Sequence, residues 1–209
     1  MVWKILACIA IGYLIGGVNG AILISRLKMH EDVREKGSGN AGLTNFLRSY
    51  GGWATLLVVL IDFGKTILAC WLATLLLPED KPLATLLAGA ATQIGHIFPV
   101  YFGFHGGKGV LCSAAVALML DWKIFLIAIS VFILIFFLTR FVSLGSILGV
   151  IAFSVLAVIF YFDRPLIWGL VVLMALIVIV LHRANISRLL HGKERKTYFH
   201  KYKNERAGN

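Results

Sequence analysis

Four polar clusters interrupt an otherwise hydrocarbon chain, and the first has the residue types that wrap a phosphate. The first, Gly-Ser-Gly-Asn-Ala-Gly-Leu-Thr-Asn-Phe-Leu-Arg at 37–48, supplies glycine for close backbone approach, hydroxyls and amides as donors, and one guanidinium. If a helix opens near Asn40, Thr44 and Arg48 share one face at i, i+4, with free backbone amides at the helix start. That geometry suits an oxyanion. A glycine-rich turn capping the next apolar segment is the plainer alternative, but a cap needs one hydroxyl or amide rather than five.

The second cluster is Asp62 and Lys65, three apart inside an apolar run and therefore neighbours on one helix face. Intramembrane ion pairs commonly mark function, yet a neutralised pair that locks helix packing fits as well; a supporting role at the edge of a site satisfies both. The third runs from His96 to Gly109. In it Gly106, Gly107 and Gly109 allow close approach and Lys108 supplies a point charge at a helix start. It is not a Walker A loop, because the first glycine is wrongly spaced and no Ser or Thr follows Lys108. His96 reads as a general base or as a hydrogen-bonded packing residue, with packing favoured when it is taken alone, and His105 beside the glycines is similarly ambiguous. The fourth joins Thr139, Arg140, Ser143 and Ser146 with His182, Arg183, Asn185 and Arg188. Arg140 and Arg183 stand where snorkelling to headgroups is ordinary, whereas His182 and Asn185 share a helix face with Arg188 one turn on.

Several chemistries lack their residues. There is no CxxC, HExxH or paired-carboxylate metal site, and neither a metal nor another cofactor is expected. A GxSxG elbow and a histidine followed four residues later by aspartate are also missing, so the substrate must bring most of its own activation. Cys8, Cys70 and Cys112 fall in apolar segments and read as small packing residues.

The elements that carry these clusters are membrane helices. The chain is 59% hydrophobic and only 14% charged, against roughly 25% charged in soluble domains. Apolar segments span 2–24, 53–77, 83–100, 110–120, 123–138, 144–162 and 165–182. The fourth falls short of the roughly twenty residues a crossing needs. The first is too long for a signal-peptide core and is expected to be retained. The fold class that follows is an all-α polytopic membrane protein of seven transmembrane helices. Residues 1–192 form one membrane-embedded catalytic domain, and 193–209 a basic tail lying on headgroups, with Tyr198, Phe199 and Tyr202 interleaved.

Basic residues set the orientation. Arg26, Lys28, Arg34, Lys36, Arg48, Lys108, Arg140 and the Arg183–Arg206 set fall on one side, and only Lys4, Lys81, Lys123 and Arg164 on the other. The basic side is expected to be cytoplasmic, with the amino terminus outside and the carboxyl terminus inside. The net charge of +10 then reflects topology and anionic headgroups rather than nucleic acid.

Taken in series, the 37–48 motif, His-Ile-Phe-Pro followed by Phe-His-Gly-Gly-Lys-Gly-Val, Thr-Arg-Phe-Val-Ser-Leu, and His-Arg-Ala-Asn-Ile-Ser-Arg-Leu closely resemble the bacterial acyl-phosphate-dependent glycerol-3-phosphate acyltransferases, the PlsY family. The likeness runs from the first span to about Arg195. Thr66, where the family usually has glycine, and Leu111-Cys112, in place of smaller residues, depart from it. The resemblance implies a multi-pass inner-membrane enzyme that moves a fatty acyl group from acyl phosphate to the sn-1 hydroxyl of glycerol 3-phosphate. Ser38, Gly39, Asn40, Thr44, Asn45, Gly106 and Gly107 would hold the acyl-phosphate head. Arg48, Lys108, His182, Asn185 and Arg188 would hold glycerol 3-phosphate. Asp62, Lys65, Arg140 and Ser143 would support them, and His96, His182 or a substrate phosphate oxygen would take the proton. Ser38 as nucleophile is the lesser reading, because no base adjoins it in sequence. Substrates and bilayer are the expected partners, a monomer suffices, and a transporter of a phosphorylated metabolite is the rival class.

Overall fold

The computed structural model describes residues 1–198; Phe199, Tyr202 and the rest of the expected tail lie outside them. Ten α-helices account for about three quarters of the described residues: α1 Val2–Gly16, α2 Gly20–Met29, α3 Leu43–Tyr50, α4 Ala54–Leu76, α5 Lys81–Ile97, α6 Val110–Leu120, α7 Trp122–Thr139, α8 Val142–Phe160, α9 Pro165–Leu181 and α10 Arg183–Leu190. No strand forms among the described residues.

Five helical stretches are long and apolar enough to cross a membrane, or six if α9 and α10, bent by 59°, count as one. The fourth expected segment, α6, has 11 residues and rises only about 16 Å. The segment expected at 2–24 continues to Met29 but breaks at 17–19, where Asn19 caps α2 by accepting the Ile22 N–H at 3.0 Å. Asp80 and Asp121 cap α5 and α7 in the same way, accepting from Leu83 N at 3.1 Å and Lys123 N at 2.7 Å.

The bundle is greasy outside and buries polar groups among its apolar core clusters. Asp62, Thr92, Gln93 and His96 are buried, while Trp3, Leu14, Trp71, Phe137 and Leu138 face outward. A soluble protein rarely exposes so much apolar surface; lipid tails are its natural solvent. The tightest pairing is α1 on α5. A Cβ added to Gly12 or Gly95 would strike the carbonyl oxygen of Ala88 or Tyr13 respectively, so glycine lets the two backbones touch. All three cysteines are buried and free.

Side-chain bonds sort the connections to two ends. Lys4–Glu79 at 2.9 Å, Arg164–Asp80 at 2.6 Å and Tyr161 Oη to the Leu120 carbonyl at 3.2 Å gather at one end. Arg34 to the Phe102 carbonyl at 2.7 Å and Thr197 N–H to the Arg140 carbonyl at 3.0 Å gather at the other.

Candidate active site

At that second end a cavity of about 300 Å³ opens between α3, α6, α8 and α10. Its walls include Ser38, Asn40, Thr44, Asn45, Arg48, Asp62, His96, Lys108, Ser143, His182, Asn185 and Arg188. Residues singled out in all four sequence clusters therefore meet around one space, drawn from both halves of the chain.

The first motif is a loop followed by a short helix. Gly37 and Gly39 take positive φ, 61° and 72°, which a β-carbon disfavours. Asn45 ties the loop down: its Oδ1 accepts the Ser38 N–H at 2.9 Å, and its Nδ2 donates to the carbonyls of Val33 and Lys36 at 3.0 Å each. The expected helix start near Asn40 shifts to Leu43, because the loop spends its own amides on these turns. Thr44 and Arg48 still stand one turn apart on α3, facing the cavity.

Gly39, Gly106 and Gly107, expected in the acyl-phosphate pocket, are not among the cavity walls. Their N–H groups donate to the carbonyls of Lys36, Ile97 and His96, and the Gly106 carbonyl accepts from Ala41 N at 3.3 Å. They register the two phosphate-type loops against each other. Asn19 joins them, donating to the Ala41 carbonyl at 3.1 Å. A Cβ at Gly107 would strike the His96 ring, so the loop rests directly on that side chain. Arg140 also points elsewhere, over the Phe137 ring.

Beneath the loops lies the buried pair. Lys65 Nζ donates to Asp62 Oδ1 at 2.9 Å, to the Gly16 carbonyl at 3.0 Å and to His96 Nδ1 at 3.0 Å. Asp62 accepts the Gly20 N–H at 3.0 Å. The two side chains of α4 thereby satisfy the groups that the α1–α2 break leaves open. His96, which has no orienting partner near it in sequence, is held here at Nδ1 by the Lys65 ammonium, with Asp62 Oδ1 3.5 Å from the same nitrogen. Those partners sit on another helix, which local spacing does not reveal.

The opposite wall is organised by a residue that sequence reasoning misses. Glu194 falls in the expected surface tail, yet it is buried and accepts from Ser143 Oγ, Asn185 Nδ2 and Arg188 Nε, each at 2.7 Å. Burial alone would raise its pKa, but these three donors outweigh burial and hold it below the usual range. The available signal is a lone acid inside Lys193–Lys196, directly after the fourth motif. Asn185 passes the chain on: its Oδ1 accepts from Lys108 Nζ. Burial, followed by the nearby Arg188, pushes Lys108 down to about 8, with Glu194 pulling the other way. His182 donates Nδ1–H to the Val178 carbonyl at 2.8 Å, which leaves Nε2 as the acceptor of a neutral ring.

A pocket that gathers Arg48, Lys108 and Arg188 with hydroxyls and amides is built for a multiply charged oxyanion. Its sequence relationships agree. The family model described as "Glycerol-3-phosphate acyltransferase" matches residues 6–192. The chain belongs to the glycerol-3-phosphate acyltransferase family. Within it, the protein of that name from Finegoldia magna is 40% identical over 88% of this chain and 91% of its own, and that from Shouchella clausii is 40% identical over 94% and 97%. A crystal structure of PlsY, an integral membrane glycerol 3-phosphate acyltransferase, in its glycerol 3-phosphate form superposes with a TM-score of 0.85 at 31% identity, covering 93% of this chain and 96% of that one. Its lysophosphatidic acid form gives 0.82 at 30% identity over the same shares. Membership in this glycerol-3-phosphate acyltransferase family accounts for an all-helical membrane fold whose cavity is polar at one end of the bundle.

Proposed function

We propose that this chain transfers a fatty acyl group from acyl phosphate to the sn-1 hydroxyl of glycerol 3-phosphate, releasing 1-acyl-glycerol 3-phosphate and inorganic phosphate. One observation carries the reading. The cationic cavity shares Val110, Leu111, Phe132 and Ser146 with an almost wholly apolar cavity of about 90 Å³ between α6, α7 and α8. A phosphate head and a hydrocarbon tail therefore have adjoining spaces of matching polarity, which an acyl phosphate requires and a soluble phosphorylated metabolite does not.

In this reading Ser38, Asn40 and Thr44 hold the acyl-phosphate head, and Arg48, Lys108 and Arg188 hold the phosphate of glycerol 3-phosphate, with His182 and Asn185 orienting its hydroxyls. The hydroxyl oxygen forms a bond to the acyl carbon, the bond from that carbon to the phosphate oxygen breaks, and the hydroxyl proton passes to the departing phosphate. The mixed anhydride is already activated, so placement and charge neutralisation lower most of the barrier. Glu194 acts on this site by fixing Asn185 and Arg188.

The reaction is placed on the cytoplasmic face of a bacterial inner membrane, in a seven-span bundle with its amino terminus outside. α1, α4, α5, α6, α7, α8 and α9 make the crossings, and the cavity lies at the basic end. Phosphate release by the purified chain tests the activity: it should need both acyl phosphate and glycerol 3-phosphate. Release with acyl phosphate alone, or transport of glycerol 3-phosphate into vesicles without acylation, would refute it.

A further inference from the structure

After α10 the chain turns back to the cavity, where Glu194 forms part of the wall, instead of leaving the protein. Thr197 is only 2% exposed, and its N–H donates to the Arg140 carbonyl at 3.0 Å. Arg140 takes φ 64° at the end of α7, a left-handed corner that a non-glycine residue adopts at some cost. The Thr197 hydroxyl accepts from Arg48 Nη2 at 3.0 Å, and the same nitrogen donates to the Arg195 carbonyl at 2.9 Å. Glu194 pins the start of this strap to α8 and α10 through Ser143 and Asn185. The strap lies past Gly192, where the family match ends. Arginine is among the side chains that lose most conformational freedom when fixed, and a guanidinium recognises phosphate best when its plane is already set.

We propose that Thr197 is a positioning residue for acceptor binding, its hydroxyl and the Arg195 carbonyl holding the Arg48 guanidinium in the cavity. The proposal rests on reading Arg48 as a ligand of the glycerol 3-phosphate phosphate. It gives the segment after α10 a part in catalysis: the strap orders Arg48 before the acceptor arrives.

The test uses the full chain, purified, with Thr197→Val and Thr197→Ser made alone and in an Arg48→Lys background, and phosphate release measured against each substrate. Wild type that fails to turn over with both substrates removes the acyltransferase reading itself. With wild type active, valine should raise the KM for glycerol 3-phosphate roughly three- to tenfold, less than the full worth of a hydrogen bond to a charged group, because Arg48 keeps its bond to the Arg195 carbonyl. The KM for acyl phosphate and the thermal midpoint should stay put, serine should behave as wild type, and valine should add nothing once Arg48 is lysine. An unchanged acceptor KM, equal changes in both KM values, or a full further loss in the Arg48→Lys background overturns the proposal. If valine does not fold, Thr197→Ala carries the same readouts, and an alanine variant that also fails to fold overturns it by assigning Thr197 to stability.

Discussion

Asn185 donates its amide N–H to Glu194 Oε1 at 2.7 Å while its carbonyl oxygen accepts from Lys108. The amide serves both neighbours at once: it offers a donor to the carboxylate and an acceptor to the ammonium. Asn185→Asp should lose the donor and set two carboxylates face to face, lowering kcat/KM by about 10- to 100-fold, since hydrogen bonds to charged groups are worth roughly 1.5–3 kcal/mol. Adding Glu194→Gln should recover part of that loss, because the new amide can donate to the introduced carboxylate, which the glutamate could only repel. Equal activity of the single and double variants would argue that Glu194 and Asn185 act independently.

Lys108 gives the site a pH limit. With its pKa pushed down to about 8 by burial and by Arg188, the free enzyme loses this cation as pH rises through that value. Phosphate binds the protonated form, so the KM for glycerol 3-phosphate should be flat below about pH 8 and climb above it. Glu194→Gln removes the charge that supports the ammonium and should move the rise to lower pH. Arg188→Gln removes a repelling cation and should move it higher. Steady-state KM at constant ionic strength, measured from about pH 6 to 10, checks both signs. A rise that stays in place in both variants sinks the assignment to Lys108.

Much of this site is legible in the chain without coordinates, and the reason is local. The motifs at 37–48 and 182–188 carry their chemistry within a turn or two, so residue type and spacing suffice to nominate Thr44, Arg48, His182 and Asn185. What escapes is long-range. Glu194 looks like one acid in a basic tail because its three donors come from α8 and α10. His96 looks unsupported because Asp62 and Lys65 approach it from α4. Gly106 and Gly107 of the third motif match the types that embrace phosphate, yet their amides are consumed by the end of α5. Composition likewise announces membrane helices, but not the break at 17–19, which is tolerated because a distant ion pair satisfies it.

That ion pair makes its own prediction. Lys65→Met should strand the Asp62 carboxylate, 0% exposed, and destabilise the protein by about 3–5 kcal/mol. Asp62→Leu with Lys65→Met removes both charges and should recover most of that stability. Activity should not return with it, because the Gly16 carbonyl and the Gly20 N–H lose their partners and the break shifts, carrying with it Asn19, which holds the Ala41 carbonyl. Thermal unfolding in detergent beside turnover separates the two effects. A double variant that is both stable and fully active would reduce the pair to a packing element.

The apolar cavity should act as a gauge of the acyl donor. Gly149 lines it, and a Cβ there would sit 3.4 Å from the Ala128 carbonyl oxygen and 3.5 Å from Phe132 Cβ, ordinary contacts that leave Gly149→Ala tolerated. Gly149→Leu would instead fill much of a space of about 90 Å³. Each methylene denied burial costs about 0.8 kcal/mol, so excluding two of them should raise the KM for palmitoyl phosphate by about tenfold. Octanoyl phosphate leaves less chain to be displaced and should be affected less, while the KM for glycerol 3-phosphate should not move, because Gly149 is outside the cationic cavity. Comparing the two donors under identical conditions decides the matter. An equal penalty on both chain lengths would mean that the acyl tail takes another route from the phosphate site into the bilayer.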